Sequence, residues 1–307
     1  MHLALVGPTA SGKSQLALEV ARRLGDVEIV SLDSMQVYRG MDIGTAKPTV
    51  YERAEVPHHL VDVADRAEDW SAVRTQRAAY DAIAAIEARG RRALLVGGTG
   101  LYVQAVVDRL EFPAEDLAVR DELERRAAEP GGIAAAYEDL TRADPTAAAR
   151  IDPHNGRRIV RALEVIRTTG RPFSSFGPGV GAYGPPVLSV IMIGVWTART
   201  VLVRRIAARV EAMRAAGLAD EVAALATSPM SRTAGQAIGY RELAAHFRGA
   251  SDAPTLDEAF SATIRRTRSF ARRQRMWFGR DPRITWLAAG ENPDALTPAV
   301  LAVWSHL

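Results

Sequence analysis

Lys13 is one of only two lysines among 39 basic side chains in a chain of 307 residues, and its neighbours give it chemistry. The octet Gly7-Pro8-Thr9-Ala10-Ser11-Gly12-Lys13-Ser14 satisfies the phosphate-loop spacing G-x-x-x-x-G-K-[ST]. In that pattern glycines let backbone N–H groups close around phosphate oxygens, and the N-terminus of the following helix adds positive dipole. Lys13 supplies a point charge and Ser14 can hold Mg²⁺. The bland alternative is a glycine turn before a helix; motif and context agree on a bound phosphate or diphosphate.

An NTP hydrolase would add a metal-holding Asp at the end of another strand. The apolar run Ala93-Leu94-Leu95-Val96 ends instead in Gly97-Gly98-Thr99, which disfavours ordinary hydrolysis. Asp33 follows the apolar run at residues 27–32, where the carboxyl ends of parallel strands form a ligand crevice. A carboxylate there suits a general base acting on a second substrate; a turn or helix-capping Asp is the alternative. The adjacent pair His58-His59 does not share a helix face, and no cluster has metal-ligand spacing.

These residues require a scaffold that the hydrophobic pattern supplies. Residues 3–6 read as a buried strand, and Leu16, Val20 and Leu24 recur at helical spacing after the loop. A strand at 27–32, a loop-rich stretch through Gly40, Gly44, Pro48 and Pro57, a helix at 72–89 and a strand at 93–96 follow. Strands alternating with helices predict a mostly parallel α/β sheet. From Pro113 the texture is Ala-, Glu- and Arg-rich and helical, with no strand before Val187. Seven of the ten residues at 177–186 are Gly or Pro, marking a return connection. A strand at 187–195 then precedes helices at 199–216, 219–226, 240–247 and 256–278. The expected fold is α/β: a P-loop NTPase-like core beginning in residues 1–114, a helical insertion domain at 115–186, and core completion with basic C-terminal helices at 187–307.

Composition narrows the class. Apolar residues make up 48% and charged residues 24%, as in a globular domain, and no run reaches membrane-helix length. The N-terminus Met1-His2-Leu3-Ala4-Leu5-Val6 lacks a basic region and cleavage site, so no signal peptide is expected. Without cysteine, disulfides, thiolate zinc sites and cysteine nucleophiles are excluded; a cytoplasmic, monomeric enzyme with no membrane partner is the expectation. Net charge is +3, yet residues 199–307 carry 16 Arg against 10 acids. That bias suggests a polyanionic partner, although a solvated arginine face is the commoner cause. Arg265, Arg268, Arg272 and Arg275 fall within an arc of about 80° on a helix, a stripe suited to backbone phosphates. Trp70, Phe270, Trp277 and Phe278 read as packing residues.

One block is not generic. Asp33-Ser34-Met35-Gln36-Val37-Tyr38-Arg39-Gly40-Met41-Asp42-Ile43-Gly44-Thr45-Ala46-Lys47-Pro48, together with the phosphate loop, resembles the bacterial tRNA dimethylallyltransferase family, also called tRNA isopentenyltransferases. Family-like blocks continue in order: Val96-Gly97-Gly98-Thr99-Gly100-Leu101-Tyr102, then Arg157-Arg158-Ile159-Val160-Arg161-Ala162-Leu163-Glu164-Val165, then Gln236-Ala237-Ile238-Gly239-Tyr240-Arg241. Thr267-Arg268 and Arg272-Arg273-Gln274 before Trp277 complete a resemblance that spans nearly the whole chain. At Asn155-Gly156-Arg157 the chain departs slightly, since many members are acidic after the Asn.

The resemblance implies transfer of a dimethylallyl group from dimethylallyl diphosphate to N6 of adenosine 37 in tRNAs reading codons that begin with U. The phosphate loop, residues Gly7, Pro8, Thr9, Ala10, Ser11, Gly12, Lys13 and Ser14, would grip the donor diphosphate with Mg²⁺ on Ser14, and ATP would not be needed. Asp33 would be the general base, Thr99 a hydroxyl near the reacting amine or the diphosphate, and Arg209 a further diphosphate contact. Asp33, Ser34, Met35 and Gln36 would touch tRNA, as would Arg157, Arg158, Ile159, Val160 and Arg161, and Gln236, Ala237, Ile238, Gly239, Tyr240 and Arg241. Arg272 and Arg275 would meet its phosphates, and the insertion would close over the anticodon arm. Lys47 has no role derivable from the sequence. A P-loop small-molecule kinase, an adenylate isopentenyltransferase and a non-catalytic RNA-binding protein are the rival readings.

Overall fold

The computed structural model describes all residues except Pro178, Thr227, Gly249, Ala250, Ser251, Asp252, His306 and Leu307. Pro178, part of the expected Gly/Pro connection, therefore lies outside the described residues. In chain order the elements are β1 (His2–Val6), α1 (Lys13–Leu24), β2 (Val27–Ser31), α2 (Val50–Glu55), β3 (His58–His59), α3 (Ala72–Ala88), β4 (Arg92–Gly97) and α4 (Gly100–Val107). Helices α5 (Leu117–Ala128), α6 (Gly132–Ala143), α7 (Pro145–Ala148) and α8 (Gly156–Thr169) follow. The chain ends through β5 (Val190–Thr197), α9 (Arg199–Ala215), α10 (Leu218–Leu225), α11 (Tyr240–Phe247), α12 (Leu256–Phe278), β6 (Thr285–Ala289) and α13 (Thr297–Ser305).

The sheet has six strands in the order β3-β2-β4-β1-β5-β6, and every described pairing is parallel. Its central strands are buried on both faces, which is why they read as continuous apolar runs. Leu3, Leu5, Leu94, Ile193 and Val195 pack with Leu16, Val20, Val300 and Trp304 in the main core. Register positions the chemistry: Val6 pairs with Gly97, and Ser31 with Val96. The loops leaving β1, β2 and β4 therefore emerge side by side at the carboxyl edge.

Three expectations need correction. The segment after β5 is not wholly helical, because β6 pairs with β5 and forms the sheet edge, with Trp286 packed edge-on to Trp196 at 5.9 Å. The two-residue β3 lies inside the stretch read as loop. Strand β5 starts at Val190, not Val187, because the N–H groups of Val187 and Leu188 donate to Val107 O at the end of α4.

The chain divides into two compact units, Leu110–Ala182 and Met1–Arg109 with Tyr183–Leu307. The helical unit thus closes before Pro186: Arg283, on the sheet-bearing unit, donates to Gly184 O at 3.0 Å and stacks over Tyr183. Inside the helical unit, Leu123, Leu140, Ile151, Ile159, Val160 and Leu163 form a core. Glu164 is fully buried there, and Arg120, Arg161 and the Asp116 N–H satisfy its carboxylate. Among the described residues no helix is long and apolar enough to cross a membrane.

Candidate active site

The loop after β1 is shaped by neighbours distant in sequence. Gly12 has φ 91°, and a Cβ there would come within 2.1 Å of Pro293. Thr9 N donates to Gln274 Oε1 at 2.8 Å, and Gln15 donates to Asp294 at 2.6 Å. Arg205 bridges Ser11 O at 3.3 Å to Gly290 O at 3.0 Å and Glu291 O at 2.9 Å. With the loop braced, Lys13 at the start of α1 makes one long contact, 3.5 Å to Pro8 O. Burial lowers the Lys13 pKa to about 8; Asp33 opposes the shift and Arg209 adds to it. Arg209, on α9, is likewise lowered by burial and partly supported by Asp33. Two desolvated cations around one carboxylate form a site that gains from an arriving polyanion.

Asp33 begins a turn: its Oδ1 accepts from Met35 N at 2.8 Å and Gln36 N at 3.3 Å. The turn role is therefore real, but it occupies one oxygen and leaves Oδ2 for chemistry. Thr99 is the N-cap residue of α4, yet its side chain makes no capping bond. Its hydroxyl points instead toward Ser34 Oγ, 3.4 Å away.

These groups line one cavity of about 740 Å³. Thr9, Lys13, Ser14, Asp33, Thr99 and Arg209 form its polar side. Ile206, Val210, Met213, Ile238 and Phe270 give it an apolar wall. A charged end beside an apolar wall fits an amphiphilic ligand whose anion sits at the phosphate loop.

Other expected site residues are placed differently. Ser34, Met35, Gln36, Gln236, Ala237, Ile238 and Gly239 line the cavity, but Tyr240 is buried and donates to Glu221 at 2.6 Å, and Arg241 is exposed elsewhere. The Gln36 amide is held internally, donating to Ala46 O at 3.1 Å and accepting from Ser31 Oγ at 2.9 Å. Ile159 and Val160 lie in the helical unit's core at 0% and 4% exposure, so they cannot reach RNA. Arg161 is bound to Glu164 and to Pro113 O, which leaves Arg157 and Arg158 as that block's exposed cations. Arg272 is exposed, whereas Arg275 is half-buried over the Trp196 ring at 4.1 Å.

Several participants had no readable signal. Phe270 lines the cavity as well as packing. Glu221 accepts from the N–H groups of Asp42 at 3.0 Å and Ile43 at 2.9 Å, fixing the loop after β2. Lys47 is a clamp at 2% side-chain exposure, donating to Tyr38 O, Asp42 and Asp62. His59 pairs with Glu28, and His58 with Val56 O. The periodicity of α12 could have shown Gln274: Thr263, Thr267, Phe270 and Gln274 recur every three or four residues and all line the cavity.

Comparison with known proteins agrees with this chemistry. A family model for IPP transferase matches residues 36–281. A Streptomyces coelicolor tRNA dimethylallyltransferase is 51% identical over 290 residues, covering 94% of this chain and 90% of that protein. The crystal structure of the Bacillus halodurans tRNA isopentenylpyrophosphate transferase superposes with a TM-score of 0.72 at 39% identity, covering 99% of this chain and 95% of that one. A eukaryotic dimethylallyltransferase studied acting on tRNA superposes with a TM-score of 0.79 at 25% identity, covering 98% of this chain and 77% of that one.

Proposed function

The chain belongs to the IPP transferase family, and from that premise we propose the reaction its cavity performs. It is a tRNA dimethylallyltransferase: it moves a dimethylallyl group from dimethylallyl diphosphate to N6 of adenosine 37 in tRNAs reading codons that begin with U. The observation that carries this reading is a cavity holding Lys13 and Arg209 at one end, Asp33 and Thr99 beside them, and an apolar wall that fits a five-carbon tail.

The adenine amine is a weak nucleophile because its lone pair is delocalised into the ring. As that pair bonds to the allylic carbon, the carbon–oxygen bond breaks and its electrons leave on the diphosphate. Asp33 Oδ2 takes the N6 proton, help typically worth about 10²–10⁴-fold. Lys13, Arg209 and the loop N–H groups stabilise the charge that develops on the leaving group. Thr99, with its hydroxyl released from capping, orients the amine or the diphosphate. The exposed Ser14 hydroxyl, at the start of the helix after the phosphate loop, would hold a Mg²⁺. That ion would neutralise charge on the diphosphate. Adenosine 37 must leave its stack to reach the cavity, at a cost of about a few kcal/mol. Each unit carries exposed cations suited to RNA phosphates: Arg157 and Arg158 on the helical unit, and Arg272 on α12. The enzyme works as a monomer in the cytoplasm.

The test is incubation with labelled dimethylallyl diphosphate and either tRNA or AMP, without ATP. Label at N6 of tRNA adenosine is expected. Label in AMP alone, transfer only with ATP, or no transfer would sink the reading.

A further inference from the structure

Helix α12 presents two faces with different partners. Arg265, Arg268 and Arg272 are exposed, whereas Gln274 is 6% exposed and points into the carboxyl edge of the sheet. At 3.6 residues per turn the arginine arc and the cavity-lining face are centred about 150° apart. The Gln274 side chain joins two of the sheet-edge loops by hydrogen bonds. Its Oε1 accepts from Thr9 N at 2.8 Å, and its Nε2 donates to Gly98 O at 2.8 Å. The partners impose that amide orientation, since an N–H needs an oxygen and a carbonyl needs an N–H. Contact is close: a Cβ on Gly98 would lie 2.4 Å from Gln274 Nε2, and one on Gly100 would lie 2.1 Å from Trp277, one turn along the helix.

We infer that Gln274 is a positioning residue that sets the phosphate loop and Thr99 at their working separation and joins both to the helix bearing the arginine stripe. The inference rests on the proposed donor and acceptor sites. Thr9 belongs to the loop that grips the diphosphate, and Gly98 immediately precedes Thr99. One amide thus holds the donor cradle and the acceptor-side hydroxyl against each other across 265 and 176 residues of chain. No direct contact with either substrate is required of it. Displacing reacting groups by even about 1 Å is enough to cost about 10²-fold in rate.

Gln274→Glu tests the joint, because a carboxylate can accept from Thr9 N but cannot donate to Gly98 O. A protonated carboxyl restores both bonds. Gln274→Met keeps the volume and removes both. The readouts are inorganic pyrophosphate affinity, tRNA affinity and transfer rate, each as a ratio to wild type between about pH 6 and pH 8.5. That ratio cancels any pH effect shared by wild type and variant, the charged or titratable side chains facing the same cavity being Lys13, Asp33, Glu52, His58, Arg209 and Arg273. At pH 8 both variants should lose about 10²-fold in kcat and bind pyrophosphate more weakly, with tRNA affinity held within about twofold. As pH falls, Q274E alone should recover toward wild type while Q274M stays low. A pH-independent Q274E ratio, unchanged pyrophosphate affinity, or failure of both variants to fold would overturn the inference. Pyrophosphate binding needs no prenyl transfer, so a wild type that fails to modify tRNA refutes the activity while this arm still judges Gln274.

Discussion

The loop after β1 and the loop after β2 leave the same edge of the sheet, and they use their polar residues in opposite ways. The first, Gly7 to Ser14, offers Lys13 and backbone to the cavity and is braced from outside by Gln274, Arg205 and Pro293. The second, Asp33 to Pro48, uses its conspicuous side chains on itself: Lys47 clamps Asp42 and Asp62, Gln36 holds Ala46 O, and Glu221 of α10 pins the backbone of residues 42 and 43. What remains for chemistry is Asp33 Oδ2 with Ser34 and Met35 beside it. A motif therefore mixes two kinds of residue, those that face the cavity and those that hold the first kind in place.

The sharpest way to break this contrast is Asp33→Asn. Asparagine keeps the oxygen that accepts from Met35 N, so the turn survives while the proposed base is removed. The expected fall in kcat is about 10²–10⁴-fold, with the variant still folded. A variant with near-wild-type turnover in single-turnover assays would return Asp33 to a purely structural role.

Lys47→Met probes the opposite assignment. The ammonium is buried, although Asp42 is largely exposed and Asp62 keeps Arg53, so the loss is smaller than for a fully buried pair. We expect about 1–3 kcal/mol of destabilisation by urea unfolding. A variant as stable as wild type would mean that the second loop is held by other contacts.

Lys13 gives the first loop a pH signature. Its pKa of about 8 means that the amine loses its proton above that pH. Taken as a ratio to Lys13→Arg, pyrophosphate affinity should be level below about pH 8 and then fall toward tenfold per unit. Folding stability should slope the other way. The unfolded lysine keeps its proton up to 10.5, so the free protein gains stability as pH rises from about 8 toward 10.5. Calorimetric titration and thermal melts at matched pH separate the two slopes; parallel slopes would contradict the buried placement of this ammonium.

The smallest effect belongs to Glu221→Gln. It weakens the acceptor of Asp42 N and Ile43 N and of the Tyr240 hydroxyl, whose pKa burial and Glu221 hold above the ordinary value. About 1 kcal/mol of stability should be lost, with faster amide exchange confined to residues 41–46. Uniform exchange across the sheet would show that the clamp is not local.

Legibility followed the range of the interactions. The apolar runs at β1, β2 and β4, the phosphate loop and the full length of α12 could be read because each is governed by a local period or a local backbone geometry. Strand β6 was missed because Thr285 to Ala289 becomes a strand through a sheet edge supplied by β5, more than eighty residues earlier. The arginine block at residues 157–161 looked uniformly RNA-facing, but helical geometry turns Ile159 and Val160 inward and Glu164 captures Arg161. Lys47 had no readable role for the same reason: its partner Asp62 is fifteen residues away and meets it only through a fold of the loop.

By itself, then, the order of residues determined an α/β core with a phosphate loop, an acid at the next strand's exit and an arginine-lined helix, because hydrophobic period and glycine spacing act within a few residues. Only the tertiary structure decided which polar groups stay free to react. Leaving a buried donor or acceptor without a partner is costly, and here the partners, Gln274 for Thr9 and Gly98 and Glu221 for Asp42 and Ile43, come from 176 to 265 residues away.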